Sequence, residues 1–490
     1  MTDFERTKYK NEILYRIKNG TCQVLGAGIS NIPLVKWLLS KGARVVVRDQ
    51  KPIEKLDNAG ELASLGATLI GGENYLSDLS EQAATDKTLI FRSPGMRHDK
   101  PEIARAVENG AILTSEMELF LLLAPANVIA ITGSDGKTTT TTLSGMFMEC
   151  FAKGKTYVGG NIGKPLLPKV EEMTENDFAV IELSSFQLQT FRHSVKSAVI
   201  TNITPNHLNW HIDMEEYTQA KYNIFLKGGC ERLVVNSDND GSLFAAYESQ
   251  KLDKKPKLSF FSLVGDSYEN VVPEYAREMG STAIFLKRGI LTVSDGKSEQ
   301  ALFDMSEIKI PGMHNVANYM TAILACLDYI TDFDKIRQIA GNFGGVAHRL
   351  ELVRMLDGVK YYNSSIDSTP TRTAAALSAL REDPIVICGG QDKGVSFLPL
   401  AEVLCSRASA VILTGQCREK ILSAFEEYEG YDRDKLPIFI CPDFEDAVKK
   451  AREIAKEGDT VLLSPACTSF DVFKNFEERG NKFKEIVKSF

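Results

Sequence analysis

The run Ile129-Ala130-Ile131-Thr132-Gly133-Ser134-Asp135-Gly136-Lys137-Thr138-Thr139 holds the residue types that bind a phosphate, in a usable order. An apolar stretch of strand character feeds two glycines, which let backbone N–H groups curl around an anion. The helix opening behind them adds the positive end of its dipole. Lys137 supplies a point charge and Thr138 a hydroxyl for magnesium. Gly133, Ser134, Asp135, Gly136, Lys137, Thr138 and Thr139 are therefore candidate nucleotide-binding residues, for ATP or GTP. The match to Gly-x-x-x-x-Gly-Lys-Ser/Thr is incomplete, because Ile131 takes the place of the first glycine; a helix-capping Gly-Lys-Thr turn is the competing reading.

Other polar groups sit at the ends of apolar runs. Glu182 closes Ala179-Val180-Ile181-Glu182-Leu183, where a carboxylate suits magnesium directly or through water, or is a solvated strand end. His207 and His211 have the i, i+4 spacing that puts two imidazoles on one helical face. Zinc would need a third ligand that the sequence does not offer, so one histidine serving a magnesium or phosphate site is the preferred reading. By position, Lys221 in Tyr217-Thr218-Gln219-Ala220-Lys221 is a lysine on a solvated helix face. In Gly389-Gly390-Gln391-Asp392-Lys393-Gly394 the backbone can approach an anion while Lys393 pairs with it; a surface turn competes equally.

These groups need elements to position them. A strand over 22–25, the turn Gly26-Ala27-Gly28, a helix over 31–40 and a strand over 43–47 form a βαβ unit with Asp49 beyond its second strand. Asn31 stands where the Rossmann fingerprint has its third glycine, so a dinucleotide site, another nucleotide's phosphates and a structural turn all remain open. A strand over 89–91 with Ser93-Pro94-Gly95 behind it continues a doubly wound pattern. Strands over 179–183 and 197–202 accompany the phosphate loop; strands over 384–388, 410–413 and 460–463 precede a charged helical tail. The fold expected is α/β in three domains: a Rossmann-like one over 1–125, a central P-loop-type ATPase over 126–346 and a Rossmann-like one over 347–490.

Composition sets the outer limits. With 43% hydrophobic and 25% charged residues and a net charge of -8 without long basic runs, neither nucleic acid nor an anionic membrane is expected as the main partner. No signal peptide and no run of about 18 apolar residues appears, which points to the cytoplasm and against membrane insertion. Nine scattered cysteines without a Cys-x-x-Cys pair suggest neither disulfides nor zinc, but buried small hydrophobes.

The motifs taken in order, Thr132 to Thr138, Gly159-Gly160-Asn161-Ile162-Gly163, Glu182 to Gln187, Asn206-His207-Leu208, Ala220-Lys221, His314-Asn315-Val316-Ala317-Asn318 and His348-Arg349, resemble the Mur ligases, ATP-dependent amide-forming enzymes of peptidoglycan assembly. The closing Leu463-Ser464-Pro465-Ala466-Cys467-Thr468-Ser469-Phe470 through Gly480 looks like the D-glutamate-adding branch. The resemblance implies ATP, UDP-N-acetylmuramoyl-L-alanine and D-glutamate as partners, magnesium (two ions) as cofactor, and a monomer. It assigns Lys137, Glu182, His207 and Lys221 to catalysis. Thr138, Glu182, His207 and Lys221 go to metal, with carbon dioxide held as a carbamate on Lys221. Asn315, Asn318 and Arg349 would contact ATP. Ile29, Ser30, Asp49, Gln50, Ser93, Pro94, Gly95 and Asn161 would contact the uridine diphosphate substrate, and Ser368, Lys393, Ser469, Phe470 and Phe476 the D-glutamate. Domains closing around these ligands would keep water from an acyl phosphate.

The sequence also departs from the family pattern. Asp135 puts an acid in the phosphate loop, Asn206 and Asn209 replace acids around His207, and Ser364 and Ile366 replace a frequent aspartate and lysine, with Asp367 nearby to compensate. Residues about 230 to 310 match least, where a lineage-specific insertion is expected. The rival readings are another amide ligase of the superfamily, such as a folylpolyglutamate synthase, an NAD-dependent dehydrogenase using Gly26-Ala27-Gly28, and a GTP switch. The closing segment speaks against the first, and the lack of an Asn-Lys-x-Asp guanine-reading signal against the last.

Overall fold

A computed structural model describes residues 3–28, 31–56, 58–193, 195–226 and 230–490 of the 490-residue chain. Among the described residues the strands build three sheets, and the chain divides into two compact units. The first comprises Met1–Met305 with Ala317–Arg337, the second Ser306–Val316 with Gln338–Phe490.

The first unit carries two sheets. In the first of them, five parallel strands run in the order Thr68–Gly71, Arg44–Asp49, Thr21–Leu25, Leu89–Arg92, Ile112–Thr114. The order reverses between Thr21–Leu25 and Leu89–Arg92, so a crevice opens past their carboxyl ends, where ligands of doubly wound sheets bind. Asn31, in place of the third glycine, fills that switch point: its buried amide donates to Leu25 O (3.1 Å), Gly26 O (2.9 Å) and Ser93 Oγ (2.9 Å).

The second sheet has nine strands, in the order Glu299–Asp304, Ile290–Ser294, Thr282–Lys287, Lys257–Phe261, Cys230–Asn236, Val195–Ile200, Asn127–Thr132, Phe178–Glu182, Thr156–Gly160. Its central strands are apolar runs buried on both faces, as parallel strands under helices must be; Phe178–Glu182 is buried at every position. Asn127–Thr132 is flanked by Val195–Ile200 and Phe178–Glu182, which brings Thr201-Asn202 and Glu182 to either side of the loop that leaves it. The expected strand over 197–202 thus ends at Ile200. The 230–310 stretch supplies parallel strands of this same sheet and then an antiparallel hairpin at its edge. One apolar core runs from Val24 and Leu38 through Phe120 to Ala130 and Ile181, so the two sheets share buried surface.

In the second unit, six strands run in the order Glu351–Leu356, Val359–Asn363, Thr460–Leu463, Ile385–Gly389, Ala410–Thr414, Ile438–Ile440, with only the first pair antiparallel. The charged tail is the helix Phe476–Ser489. Seven cysteines are buried, Cys405 is half-buried and Cys150 exposed, all of them free thiols.

Candidate active site

The phosphate loop is built as its residue types require. Gly133 (φ 147°) and Gly136 (φ 79°) occupy backbone conformations that glycine tolerates, and a Cβ on them would run into Thr201 Oγ1 and Asn318 Oδ1 respectively. The loop is tied down from the neighbouring strand: Asp135 N donates to Asn202 Oδ1 (2.9 Å) and Thr201 Oγ1 donates to Asp135 O (2.6 Å). The Asp135 side chain is left exposed. Ser134 is buried, its hydroxyl 3.0 Å from Thr204 O and 2.8 Å from the Tyr217 hydroxyl. Lys137 opens the helix Lys137–Phe151 and its ammonium donates to Ser134 O (2.8 Å).

Around the loop stands a set of hydrogen-bonded polar side chains. Thr138 Oγ1 donates to Glu182 Oε2 (2.8 Å), while Asn161 Nδ2 donates to Glu182 Oε1 (2.9 Å) and Asn161 N to Glu182 O (2.8 Å). Thr140 Oγ1 lies 3.3 Å from Asn318 Oδ1, which brings Asn318 to the same loop.

Lys221, on the helix Met214–Leu226, is only 1% exposed, contrary to the solvated face its position suggested. Its Nζ donates to Gly133 O (2.7 Å) and lies 4.5 Å from the centre of the Tyr217 ring. Burial above all, with the Lys137 charge second, pushes its pKa well below the ordinary lysine value.

The helical pairing of His207 and His211 is corrected. The chain there makes one tight turn: His207 has φ 55°, and both Trp210 N (3.0 Å) and His211 N (3.0 Å) donate to its carbonyl, while the helix starts only at Met214. His207 is exposed. His211 is 2% exposed, with Nε2 2.9 Å from Ser185 Oγ and Nδ1 3.3 Å from Glu216 Oε2. The Phe186 ring packs against both imidazoles, at centroid distances of 4.9 Å and 5.7 Å. Among the described residues no group of three or more His, Cys, Asp or Glu side chains is arranged to hold a metal ion.

At the crevice of the five-stranded sheet, Asp49 accepts from Ala27 N (2.8 Å) and Lys51 N (2.9 Å), bracing the glycine turn. Beside it a cleft of about 150 Å³ is lined by Ala27, Gly28, Asp49, Lys51, Lys55 and Asn58, among others. Ser93 donates to Leu25 O (2.5 Å), Pro94 O accepts from Arg92 (3.0 Å), Gly95 O accepts from Trp210 Nε1 (2.9 Å), and Gln50 is exposed. Ile29 and Ser30 lie outside the described residues.

In the second unit, Lys393 Nζ donates to Ser368 Oγ (3.2 Å), and Gly389 (φ 126°) and Gly390 (φ 142°) shape the turn before it. Gln391 and Thr468 exchange backbone bonds (2.9 and 3.2 Å), which sets the closing segment beside that turn. Ser469 is buried, Phe470 63% exposed, and Phe476 packs 5.9 Å from the His348 ring. Asp367 is buried and accepts from Ser464 Oγ (2.8 Å); burial raises its carboxyl to about 6. Arg349 and Asn315 belong to this unit, with Asn315 Nδ2 donating to Pro311 O (2.6 Å).

Three family models match the chain in succession: the Mur ligase MurD-like N-terminal domain over residues 20–115, the Mur ligase middle domain over 131–326, and the Mur ligase glutamate ligase domain over 348–467. The chain belongs to the Mur ligase family. Among relatives of this Mur ligase, the UDP-N-acetylmuramoylalanine–D-glutamate ligase of Ruminiclostridium cellulolyticum is 43% identical over 96% of this chain and 97% of its own. That of Acetivibrio thermocellus is 44% identical over 98% of each. The fold is shared with the solved UDP-N-acetylmuramate-alanine ligase MurC of Thermotoga maritima (TM-score 0.55, 18% identity, 96% of this chain and 99% of that one). It is shared too with a UDP-N-acetylmuramoyl-L-alanyl-D-glutamate–2,6-diaminopimelate ligase (TM-score 0.56, 17% identity, 85% and 90%).

Sequence reading of this Mur ligase missed several groups. Thr201 and Asn202 fasten the phosphate loop, and their signal was two polar residues directly after an apolar strand. Tyr217 supports both Ser134 and Lys221; its signal was the i, i+4 spacing to Lys221. Lys51 and Lys55 line the cleft beside Asp49, cations in a place where a diphosphate was already expected.

Proposed function

We propose that this Mur ligase joins D-glutamate to the alanyl carboxyl of UDP-N-acetylmuramoyl-L-alanine, with ATP cleaved to ADP and phosphate. The observation that carries the reading is the closure of the phosphate loop on Glu182 through Thr138 at 2.8 Å, in a chain whose relatives bear that name along their whole length.

A carboxylate is a poor electrophile, and its attack on a nucleotide γ-phosphate brings two anions together. The loop amides, Lys137 and the helix dipole behind it oppose that repulsion. Thr138 and Glu182 are hard oxygen donors that share one short contact, a fit for magnesium completed by water and phosphate oxygens. When bound, magnesium supplies charge neutralisation at the transferring phosphoryl group. His207 and Lys221 complete this set in our reading, Lys221 as a carbamate: burial disfavours its charged form, and the neutral amine is the form that adds carbon dioxide. ATP is also contacted by Gly133, Ser134, Asp135, Gly136, Thr139, Asn315, Asn318 and Arg349. The alanyl carboxylate takes the γ-phosphate to give an acyl phosphate. The free amine of D-glutamate then attacks the carbonyl, and the tetrahedral intermediate expels phosphate.

The sugar nucleotide's diphosphate end is assigned to the crevice of the five-stranded sheet, with Asp49, Gln50, Ser93, Pro94, Gly95, Ile29 and Ser30, and Asn161 reaching it from the central domain. The D-glutamate end is assigned to Ser368, Lys393, Ser469, Phe470 and Phe476. Domains over 1–125, 126–346 and 347–490 take the sugar nucleotide, ATP and the amino acid in turn, and the enzyme acts as a cytoplasmic monomer. No described helix is long and apolar enough to cross a membrane.

A substrate panel tests the reading. Purified protein releases phosphate from ATP only with both UDP-N-acetylmuramoyl-L-alanine and D-glutamate present; equal stimulation by L-glutamate or by a folate overturns it.

A further inference from the structure

Four segments that carry proposed site groups meet at one carboxylate. Glu216 lies in the first turn of the helix Met214–Leu226, five residues ahead of Lys221. Its Oε1 accepts from Arg97 Nη2 (2.9 Å) and Gln189 Nε2 (2.8 Å); its Oε2 accepts from Ile212 N (2.8 Å) and Arg97 Nη1 (3.2 Å), with His211 Nδ1 at 3.3 Å. Arg97 lies two residues beyond Gly95 on the sugar-nucleotide side. Gln189 follows the short helix behind Glu182, and His211 and Ile212 close the turn that begins at His207.

The connection is doubled from the other direction. Arg97 Nη1 also donates to Trp210 O (2.9 Å), its guanidinium lies 5.1 Å from the centre of the Trp210 ring, and Trp210 Nε1 donates back to Gly95 O (2.9 Å). Asp99 holds the opposite edge of the guanidinium (2.9 and 2.6 Å), so Arg97 is fixed in a plane between two carboxylates, as a bidentate fork requires. On the far side, His211 Nε2 reaches Ser185 Oγ (2.9 Å), three residues after Glu182.

An ion pair of this kind on a surface contributes little to stability. Both partners here are about one-fifth exposed (Arg97 23%, Glu216 21%), and the Arg97 guanidinium holds the Glu216 carboxyl down to about 2, so the pair stays charged at working pH. The partners of this pair come from four segments that carry proposed site groups, which a brace for the fold alone does not require.

We propose that Glu216 and Arg97, with His211, are positioning residues of the ligation: they clamp the sugar-nucleotide loop after Gly95 to the His207 turn, the Glu182 segment and the Lys221 helix, so that the substrate's carboxyl end is presented in register with the phosphate loop. None of these three side chains is assigned to touch the reacting atoms. The inference rests on the function proposed above, since it presumes a sugar nucleotide in that crevice and ATP at the loop.

The test is steady-state phosphate release by the full chain at saturating ATP and D-glutamate, with UDP-N-acetylmuramoyl-L-alanine varied. Glu216→Ala and Arg97→Met each lower kcat/KM for the sugar nucleotide by about 10- to 100-fold, the scale of a misplacement near 1 Å, and leave KM for ATP within about twofold. The double variant loses no more than the worse single one, because both substitutions break one network. Wild-type kinetic constants in both folded variants overturn the proposal, even if Tm falls. Should Glu216→Ala fail to fold, Arg97→Met decides alone.

A wild-type enzyme that releases no phosphate with these substrates refutes the functional reading instead, and hydrogen exchange then judges the clamp. Faster exchange of the amides of residues 208–212 in Arg97→Met, with Ala410–Thr414 unchanged, supports it; unchanged exchange at 208–212 overturns it.

Discussion

Lys221 shows what a single side chain owes to its surroundings. Nothing in Tyr217-Thr218-Gln219-Ala220-Lys221 marks it as unusual apart from its likeness to a family motif. Its burial arises from Gly133, 88 residues away, and from the aromatic face of Tyr217. The glycine turn between the strand Asn127–Thr132 and the helix Lys137–Phe151, by contrast, was legible, because its backbone demands glycine at fixed spacing. The histidine pair was misread for a similar reason. The i, i+4 rule presumes a helix, and the left-handed backbone at His207 replaces that helix with a turn and sends His211 to Ser185 and Glu216.

Two outcomes follow at this scale. Lys137→Ala loses roughly 2.7–4 kcal/mol of transition-state stabilisation, read from kcat/KM, with an unchanged Tm. Lys221→Ala loses most activity and regains part of it with added acetate or formate, because a small carboxylate can occupy the place of the carbamate. Unchanged activity in the variant, or a carbon-13 spectrum of wild type under labelled carbon dioxide with no carbamate signal, counts against the modification.

Individual elements carry costs that the sequence does not show. The helix Glu116–Leu123 reads as an apolar segment with two acids in its first turn, where acids ordinarily favour the dipole. In the structure both are buried, and burial raises the Glu118 carboxyl to about 7 although Thr190 Oγ1 donates to it (3.2 Å). Its folded pKa lies above the ordinary 4.5, so the folded state retains a proton that the unfolded chain has released, and stability falls as pH rises from 4.5 to about 7. Glu118→Gln keeps an acceptor for Thr190 and removes the charge. It should stabilise the protein by on the order of 1–3 kcal/mol at pH 8, with a gain in Tm that vanishes below about pH 4.5. Equal Tm differences at both pH values would contradict the buried-charge account.

His193 acts in the opposite direction. Burial, with Arg6 and Arg192 nearby, lowers it to about 3, so below its ordinary 6.5 the unfolded chain takes up a proton that the folded state refuses. Wild-type stability therefore falls as pH drops from 6.5 towards 3, and His193→Phe flattens that fall in a pH series of thermal melts. The phosphate loop gives a steric case: Gly133→Ala puts a Cβ onto Thr201 Oγ1 at φ 147° and should abolish ATP binding by calorimetry while the far sheets keep their hydrogen-exchange protection.

Across the whole molecule, the alternation of apolar strands and helices was enough to foresee three α/β blocks, each now seen with its own sheet, because parallel strands buried on both faces are plain apolar runs. Strand order was not legible. That Asn127–Thr132 lies between Phe178–Glu182 and Val195–Ile200, and so gathers Glu182, Thr201 and Asn202 around one loop, depends on pairings between strands far apart in sequence. The divergent stretch 230–310, where the sequence suggested an inserted piece, adds parallel strands to the central sheet and then an antiparallel hairpin at its edge. The damaged dinucleotide fingerprint had a structural cause, since Asn31 ties the two strand ends at the switch point of the first sheet.

The account turns on a carboxyl group activated by ATP before an amine reaches it. UDP-N-acetylmuramoyl-L-alanine labelled with oxygen-18 in its alanyl carboxylate, incubated with the enzyme, ATP and D-glutamate, tests this directly by mass spectrometry of the released phosphate. The account predicts one labelled oxygen in each phosphate derived from labelled carboxylate. Phosphate that carries no label, alongside amide product, would contradict it.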